Sequence, residues 1–259
     1  MQTEGLIKYT IPKSIKKDAV FGFCPGCDHG VAVKLVAETL DELNLREKTI
    51  AVASSGCSVM LYDYLDVDCI ESPHGRACAV ATGIRRASRA NKQDRFIFTY
   101  QGDGDFASIG LCESMHAALR GENISVICIN NTNYGMTGGQ MGPTSVMGQI
   151  TTTSPVGRNK TYHGFPIKTA EHIALCDGVS YSARVALYDI KNIMNAKKAI
   201  KKAFEYQLEG LGFSFVEILS SCPTNWKLTP QDAHKKIRDE LSLVYPIKTF
   251  KDIKESEYA

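Results

Sequence analysis

The sequence of 259 residues predicts an α/β fold, with a mostly parallel sheet and helices on both faces. Short apolar runs alternate with segments of helical periodicity, and several of these runs end in glycine or small polar residues. Strands that alternate with helices in this way are typical of parallel sheets. The predicted strands lie near 49–53, 68–70, 95–101, 124–130, 181–187 and 212–219.

The predicted helices connect these strands. The first, near 30–45, has apolar residues at a helical period, and we expect Asp28 to cap its N-terminus. The run of small residues from 77 to 90 predicts a closely packed helix, and the helix near 107–120 ends at Gly121. The remaining helices are predicted near 169–176, near 190–209 and from about 230.

The chain is long enough for one large domain with a full core. We expect this domain at residues 21–245, preceded by an N-terminal arm at 1–20 and followed by a polar tail at 246–259. The segment from 131 to about 165 has little periodicity and many Gly, Thr, Ser and Pro residues. A loop of this length in a compact domain is usually functional or disordered, and its specific start, NYGMTGGQ, favours function.

Charge and composition exclude several classes of protein. The formal net charge is +2 and no dense basic stripe is present, so we expect no nucleic-acid partner. No apolar run approaches the roughly 20 residues of a membrane span, and no signal peptide is apparent, which predicts a cytoplasmic protein. Without a secretory signal, the nine cysteines suggest metal ligands or buried thiols rather than disulfides.

Polar residues follow two consecutive predicted strands. The motif GDGD at 102–105 ends one strand and Asn130-Asn131 end the next, so Asp103 and Asn131 should lie side by side at the carboxyl edge of the sheet. Their oxygens, a backbone carbonyl near Asn133 and the oxygens of a diphosphate would suit octahedral Mg²⁺. The alternative, a simple turn and loop, is less favoured because both motifs end apolar strands at this spacing.

Four cysteines form a second group. Cys24 and Cys27 form a CxxC motif, Cys57 follows the first predicted strand and Cys222 follows the last, so all four could meet at the edge that carries Asp103. Four cysteines can hold zinc or an iron–sulfur cluster, and the spacing does not decide between them. The other five lie in apolar or helical segments and are expected to be buried thiols: Cys69, Cys78, Cys112, Cys128 and Cys176.

The GDG motif followed by Asn-Asn resembles the diphosphate-binding motif of thiamine diphosphate enzymes. Over roughly residues 20–245, the chain resembles the β subunit of 2-oxoacid:ferredoxin oxidoreductases. The resemblance rests on CPGCDHG, SGCS, SPHGRACAVATG, TYQGDGD, NNTNYGMTGGQMGPTS and SSCPTNW, which occur in the expected order. The chain departs from the family at Asp28, where members commonly have Gly.

The resemblance implies thiamine diphosphate and Mg²⁺, with Asp103, Asn131 and a carbonyl near Asn133 as metal ligands. It also implies a [4Fe–4S] cluster on the four cysteines of the second group. It places His74 and Arg76 at the diphosphate or substrate, as candidate catalytic residues, although a helix cap and a solvated arginine are the simpler interpretation. The other residues expected at the cofactor are Ser55, Cys57, Gly102, Gly104, Asp105, Tyr134, Gly135 and Thr137.

The implied activity is the coenzyme A-dependent oxidative decarboxylation of a 2-oxoacid, with ferredoxin as electron acceptor. Such enzymes need a carboxylate, usually Glu, against the aminopyrimidine ring, and in this family another subunit supplies it. Because the chain has a single α/β domain, we expect an obligate complex with an α subunit, a γ-type subunit and a small ferredoxin-like subunit. The loop 131–165 would form part of the interface with the α subunit.

The substrate is predicted from the segment that follows Cys57. It contains Met60 and Leu61 but no Lys or Arg, which favours a branched-chain acid such as 2-oxoisovalerate, because 2-oxoglutarate would require a cation for its distal carboxylate. 2-Oxoglutarate is the alternative within the same enzyme class. Two other classes remain open: a zinc-stabilised binding subunit without turnover, and a non-oxidative thiamine lyase with structural cysteines.

Overall fold

The structure is a computed structural model that describes residues 11–256. The predicted N-terminal arm therefore lies partly outside the described residues. Its described part is attached to the domain: the hydroxyl of Ser14 donates to Asp41 Oδ1 at 2.6 Å, and Ile15 forms an isolated β-bridge with Leu65. Within residues 11–256, no helix is both long and apolar enough to cross a membrane.

A seven-stranded sheet forms the centre of the fold, and a two-stranded hairpin lies apart from it. The strands are β1 Thr49–Ser54, β2 Asp68–Ser72, β3 Phe96–Gly102, β4 Ser125–Asn130, β5 Asn133–Tyr134, β6 Gln140–Met141, β7 Val179–Ala186, β8 Phe213–Leu219 and β9 Lys248–Asp252. The order across the large sheet is β2-β1-β3-β4-β8-β7-β9, and only the β7–β9 pair is antiparallel. The predicted mostly parallel sheet is confirmed.

The helices follow the strands in the expected alternation. They are α1 His29–Glu42, α2 Leu61–Tyr64, α3 Ala77–Ala90, α4 Leu111–Leu119, α5 Lys160–His163, α6 Thr169–Ala174, α7 Ile190–Leu208, α8 Pro223–Trp226, α9 Pro230–Lys236, α10 Ser242–Val244 and α11 Ile253–Ser256. The predicted helix near 107–120 begins earlier, with a π-helical turn at Asp105–Ile109 that leads into α4.

Two hydrophobic cores cover the two faces of the sheet. Helices α1 and α7 pack on one face, and α3, α4 and α6 pack on the other. Successive side chains of β3 alternate between them: Phe96 and Phe98 belong to the first core, and Ile97 belongs to the second. Burial on both faces explains why the sequence shows continuous apolar runs instead of a polar–apolar alternation.

Three expectations about local structure are wrong. Asp28 precedes α1, but its side chain makes no capping hydrogen bond. Residues Lys248–Asp252 of the predicted polar tail form β9; the strand lies at the sheet edge and is rich in lysine, so it lacks the apolar run of a central strand. Cys112 is exposed and Cys69 is half-buried, whereas the other three cysteines predicted as core thiols are buried.

Candidate cofactor and cluster site

Four adjacent strands bring the predicted ligands to one edge of the sheet. β1, β3, β4 and β8 are neighbours in this order, and their register pairs Gly102 with Ile129 and Asn130 with Leu219. The carboxyl ends of these strands are therefore nearly level. The residues that follow them are Cys57, Asp103, Asn131 and Cys222.

A cavity of about 350 Å³ opens at this edge, and we call it the Asp103 cavity. Its wall includes His29, Gly56, Ser58 and Met136. Of the residues predicted at the cofactor, all but Arg76 line it: Ser55, Cys57, His74, Gly102, Asp103, Gly104, Asp105, Asn131, Asn133, Tyr134, Gly135 and Thr137.

Asp103 is the carboxylate at the centre of this cavity, and it is only 2% exposed. Burial raises its pKa to about 7, although the Thr144 hydroxyl and the backbone N–H of Gly104 donate to the carboxylate and partly oppose the rise. Among residues 11–256, no Lys or Arg lines the cavity. A buried carboxylate without a cationic side chain beside it suits a divalent metal ion, whose binding would displace the proton.

Two further oxygens at the Asp103 cavity are buried and have no hydrogen-bond partner within the part of the chain that the structure describes. They are Asn133 Oδ1 and Ser58 Oγ. Asn131 Oδ1 accepts a hydrogen bond from the backbone N–H of Asn133 at 3.3 Å, which tightens the turn that carries both residues. Unpaired buried acceptors are costly, so these oxygens fit a site that is completed by a metal or a polar ligand.

Asn130, the first asparagine of the pair, does not line the cavity and instead contacts residues of the surrounding fold. Its Nδ2 donates to Glu217 Oε1 at 2.6 Å, and its Oδ1 accepts from the backbone N–H of Thr132 at 3.1 Å. Glu217 Oε2 in turn accepts from Nε of the fully buried Arg184 at 2.9 Å. The two asparagines therefore differ in position: Asn131 lines the cavity, and Asn130 fixes the turn.

Asp105 contacts His74 and Gly75, whereas Arg76 has a separate partner. Asp105 Oδ1 accepts from the backbone N–H of Gly75 at 2.5 Å and lies 3.1 Å from His74 Nδ1, while its Oδ2 accepts from Gln101 Nε2 at 2.5 Å. Asp105 thus anchors the His74 loop. Arg76 lies outside the cavity lining, and its guanidinium is 2.9 Å from Glu113 Oε1.

Gly104 and Gly135 lie against side chains that line the Asp103 cavity. A Cβ on Gly104 would lie 2.3 Å from the Tyr134 ring, so only glycine leaves room for that ring. A Cβ on Gly135 would lie 3.4 Å from both Cys57 Sγ and Asn131 Nδ2. Gly135 therefore lies at the boundary between the Asp103 cavity and the cysteines.

The four cysteines of the predicted group line a second cavity of about 360 Å³, which we call the thiol cavity. Its lining includes Cys24, Cys27, Cys57 and Cys222, and Asn225 Nδ2 donates to Cys222 Sγ at 3.3 Å. Burial, and to a smaller extent the neighbouring thiols, raises the pKa of Cys27 to about 12 and that of Cys57 to about 11. These thiols would become thiolates only when a cationic group binds them.

The spacing of the side chains bears on which metal the thiols could hold. A tetrahedral zinc site brings its ligands to about 2.0–2.3 Å from a single ion. In the part of the chain that the structure describes, no three His, Cys, Asp or Glu side chains are grouped closely enough to bind one metal ion. The four cysteines line a cavity of about 360 Å³, and four cysteines can hold either zinc or an iron–sulfur cluster.

Sequence reasoning missed several residues of these cavities. His29 is 1% exposed, its Nδ1 lies 2.9 Å from the Tyr100 hydroxyl, and burial lowers its pKa to about 4, so the imidazole is neutral near pH 7. Its position two residues after CxxC was a usable signal. Thr144, 41 positions from Asp103, gave none because no local pattern connects the two.

Fold and site together define the class of this protein as a thiamine diphosphate-binding α/β domain: a parallel sheet with Asp103 and Asn131 at adjacent strand ends, facing one cavity. The family described as "Thiamine pyrophosphate enzyme, C-terminal TPP binding domain" matches residues 54–218.

Proteins of similar sequence identify the family within this class. Ketoisovalerate oxidoreductase subunit VorA of Methanothermobacter thermautotrophicus is 44% identical over 230 residues, which cover 89% of this chain and 47% of the relative. 2-Oxoglutarate synthase subunit KorB of Archaeoglobus fulgidus is 36% identical over 217 residues, which cover 84% of this chain and 75% of the relative. The chain therefore belongs to the 2-oxoacid:ferredoxin oxidoreductases, among the subunits that carry the thiamine-binding domain, and the resemblance inferred from its motifs is confirmed.

A solved structure agrees with this assignment. The 2-oxoglutarate:ferredoxin oxidoreductase from Magnetococcus marinus, with 2-oxoglutarate, coenzyme A and succinyl-CoA bound, superposes with a TM-score of 0.74 at 29% sequence identity. The match covers 90% of this chain and 74% of that chain. The chain spans about half the length of VorA, at 47%.

Proposed function

We propose that this chain is the β subunit of a 2-oxoacid:ferredoxin oxidoreductase and binds thiamine diphosphate, Mg²⁺ and a [4Fe–4S] cluster. The observation that most supports the proposal is that the Asp103 cavity and the thiol cavity share a wall, which consists of Cys57, Asn131, Gly135 and Met136. One cavity offers hard oxygen ligands and the other offers thiols. This pairing suits an enzyme that carries out a decarboxylation in one and removes electrons through the other.

The residues of the two cavities would bind different cofactors. Thiamine diphosphate supplies the electron sink for decarboxylation when it is bound, and coenzyme A accepts the acyl group. Asp103, Asn131 and Asn133 would hold Mg²⁺ against the diphosphate. Cys57 belongs to both walls, so it would hold the cluster on the thiamine side, and the exposed Cys24 would face the surface where ferredoxin can approach.

Partner subunits are part of the proposal because the cavity lacks one essential group. Its only carboxylates in the described part of the chain are Asp103 and Asp105, and both already have other partners. The carboxylate for the aminopyrimidine ring would come from an α subunit. The loop 131–165 exposes several large apolar side chains for such an interface: Met136, Met147, Ile150, Val156, Tyr162 and Phe165. A γ-type subunit and a small ferredoxin-like subunit complete the proposed complex.

The proposed substrate is a branched-chain 2-oxoacid such as 2-oxoisovalerate. The structure contradicts the part of this preference that was based on Met60 and Leu61. Leu61 is fully buried in the core, and Met60 lines the thiol cavity instead of the Asp103 cavity. Two observations still support it. In the described part of the chain, the Asp103 cavity has no Lys or Arg for a second carboxylate, and the apolar Met136 lines it. 2-Oxoglutarate is the second candidate, supported by the KorB relatives.

The substrate test uses the complex reconstituted without oxygen. Acyl-CoA formation and ferredoxin reduction are measured for a panel of 2-oxoacids that includes 2-oxoisovalerate, 2-oxoglutarate and pyruvate. A higher kcat/KM for 2-oxoisovalerate supports the first candidate, and a higher value for 2-oxoglutarate supports the second. Release of a free aldehyde as the sole product, without ferredoxin reduction, would establish the non-oxidative lyase instead.

Metal analysis tests the cluster. Protein purified without oxygen should contain about four irons per chain, whereas one zinc and no iron would establish the zinc-stabilised binding subunit. Cys222→Ser should lower the iron content and block ferredoxin reduction while thiamine diphosphate still binds. Cys112→Ser is the matched control, because Cys112 is exposed and lies outside the thiol cavity, and it should match the wild type.

A further inference from the structure

Asp28 connects three separate segments of the chain around the thiol cavity. It follows Cys27 directly and is 3% exposed. The backbone N–H of Ser221 donates to its Oδ2 at 2.7 Å, and His234 Nε2 lies 2.8 Å from its Oδ1. Ser221 immediately precedes Cys222. One buried carboxylate therefore contacts the loop of Cys222 and helix α9, from a position at the end of the CxxC turn.

A second set of contacts tightens the same junction. The hydroxyl of Ser221 donates to the carbonyl of Gly26 at 2.6 Å, so the two cysteine segments are joined twice. Gly26 has a φ of +76°, and a Cβ there would lie 2.6 Å from Pro230 at the start of α9. The CxxC turn consequently packs directly on α9.

Helix α9, which packs against this junction, is capped and partly buried. The side chain of Thr229 caps its N-terminus, and Pro230 occupies the first helical turn. Ala233 is fully buried in α9, and Ile237 is fully buried in the turn that follows. His234 therefore lies on an element whose neighbouring residues are buried in the domain.

We propose that Asp28 is a positioning residue for the thiol cavity: together with His234 it fixes the turn of Cys24 and Cys27 against Cys222 and places a carboxylate beside the group that the thiols hold. This inference rests on the proposed function, because it assigns Asp28 a role toward the cluster.

Two consequences follow from this position. A fixed ligand spacing slows the loss of iron, since residues behind the ligands typically contribute to metal retention. A nearby negative charge disfavours the more negative reduced cluster and lowers its reduction potential. Among the described residues no charged side chain lines the thiol cavity, and His234, which contacts Asp28 from α9, lies outside that lining.

The first experiment uses the anaerobically reconstituted complex. Asp28→Ala should lose iron to a chelator roughly tenfold faster than the wild type. Asp28→Asn retains an oxygen that can accept from Ser221, so it should lose iron more slowly than Asp28→Ala but shift the midpoint potential, followed by electron paramagnetic resonance, to a more positive value. Asp239→Asn should match the wild type in both, because Asp239 is an exposed carboxylate paired with Arg238.

The partner side chain is tested in the same assay. His234→Gln can still donate a hydrogen bond to Asp28 and should remain close to the wild type, whereas His234→Leu should lose iron faster. The inference would be overturned if the wild-type reduction potential and iron retention were kept in all three variants, Asp28→Ala, Asp28→Asn and His234→Leu. A simple packing role would leave the potential of Asp28→Asn unchanged, and that result also counts against it.

A second measurement does not need the cluster. In metal-free protein, loss of the junction should increase the rate at which iodoacetamide alkylates the half-buried Cys27, measured by mass spectrometry, whereas Cys112 should react at the wild-type rate. Unchanged alkylation in Asp28→Ala would overturn the positioning role. A wild-type complex without iron would instead contradict the proposed function. If Asp28→Ala does not fold, the midpoint potential and the alkylation rate of Asp28→Asn test the inference instead.

Discussion

The hydroxyl of Thr144 donates a hydrogen bond to Asp103 Oδ2, across 41 positions of sequence. The hydroxyl of Tyr245 donates to the backbone carbonyl of Thr144 at 2.5 Å, and Tyr245 is fully buried. The carboxylate of the GDGD motif is therefore oriented by the long loop after β4 and by the C-terminal part of the domain. Its geometry depends on the whole fold as well as on the motif.

Replacing Thr144 with Val should weaken Mg²⁺-dependent binding of thiamine diphosphate. The substitution preserves side-chain volume but removes the donor that orients Asp103, and residues behind a metal ligand typically change affinity by roughly tenfold or more. Isothermal titration calorimetry in the presence of Mg²⁺ measures the effect. Thr161→Val serves as the control because Thr161 is exposed. Equal affinity of Thr144→Val and the wild type would show that the hydrogen bond does not position the carboxylate.

Replacing Asp103 with Asn should abolish Mg²⁺-dependent cofactor binding without unfolding the domain. The amide removes the one negatively charged ligand of the predicted metal site. It should not lower the unfolding temperature of the cofactor-free protein, because burial already opposes ionisation of Asp103 and raises its pKa. Calorimetry and thermal unfolding, run in parallel, separate the two effects. Retained affinity in Asp103→Asn would remove this residue from the proposed metal site.

Local patterns in the sequence were enough to predict the fold and the position of the site. The strands β1, β3, β4 and β8 are buried on both faces, so each appears as a short apolar run, and the residue types after them mark the carboxyl edge. Because parallel strands present their carboxyl ends at one edge, Cys57, Asp103, Asn131 and Cys222 could be placed together without a structure.

The features that could not be predicted depend on contacts between distant segments. Asp28 has the residue type and position of a helix cap, but its carboxylate contacts Ser221 and His234, 193 and 206 positions away. The role of Asn130 depends on Glu217, 87 positions away. β9 is stabilised by pairing with β7, which no local propensity records.

Replacing Gly104 with Ala should displace the Tyr134 ring. The added Cβ would lie 2.3 Å from that ring, so we expect a loss of about 1–3 kcal/mol of unfolding free energy and weaker cofactor binding. Urea unfolding measures the unfolding free energy, and calorimetry measures cofactor binding.

Gly83→Ala should have the opposite effect on stability. Among the described residues nothing lies within 4 Å of its Cβ position in α3, so the substitution should stabilise the protein by about 1 kcal/mol.

A double substitution tests whether the ring is the cause. Combining Gly104→Ala with Tyr134→Ala should destabilise the protein by less than the sum of the two single changes, because the clash is already absent without the ring. Strict additivity would place the cost of Gly104→Ala elsewhere than in the contact with Tyr134.

The stability of the edge strand β9 should depend on pH through Asp252. Asp252 at the end of β9 is buried and forms an ion pair with Lys202 of α7, and it accepts a hydrogen bond from the Tyr206 hydroxyl. Burial opposes ionisation of Asp252, but Lys202 and Tyr206 outweigh it and hold the pKa of this carboxyl below its usual value of 3.8. The pair thus attaches β9 to α7 as long as Asp252 is ionised.

Because the pKa of Asp252 is lower in the folded protein, its stabilising contribution is fully present above about pH 4 and is lost as the pH falls through the folded-state pKa. Asp252→Asn should lower the unfolding free energy by about 1–3 kcal/mol at pH 7, since it removes the charge that pairs with Lys202. The difference from the wild type should shrink below pH 4, which urea unfolding across pH measures. Asp94→Asn removes an exposed pair with Lys48 and should cost less than about 1 kcal/mol. A pH-independent loss in Asp252→Asn would attribute its effect to packing instead of charge.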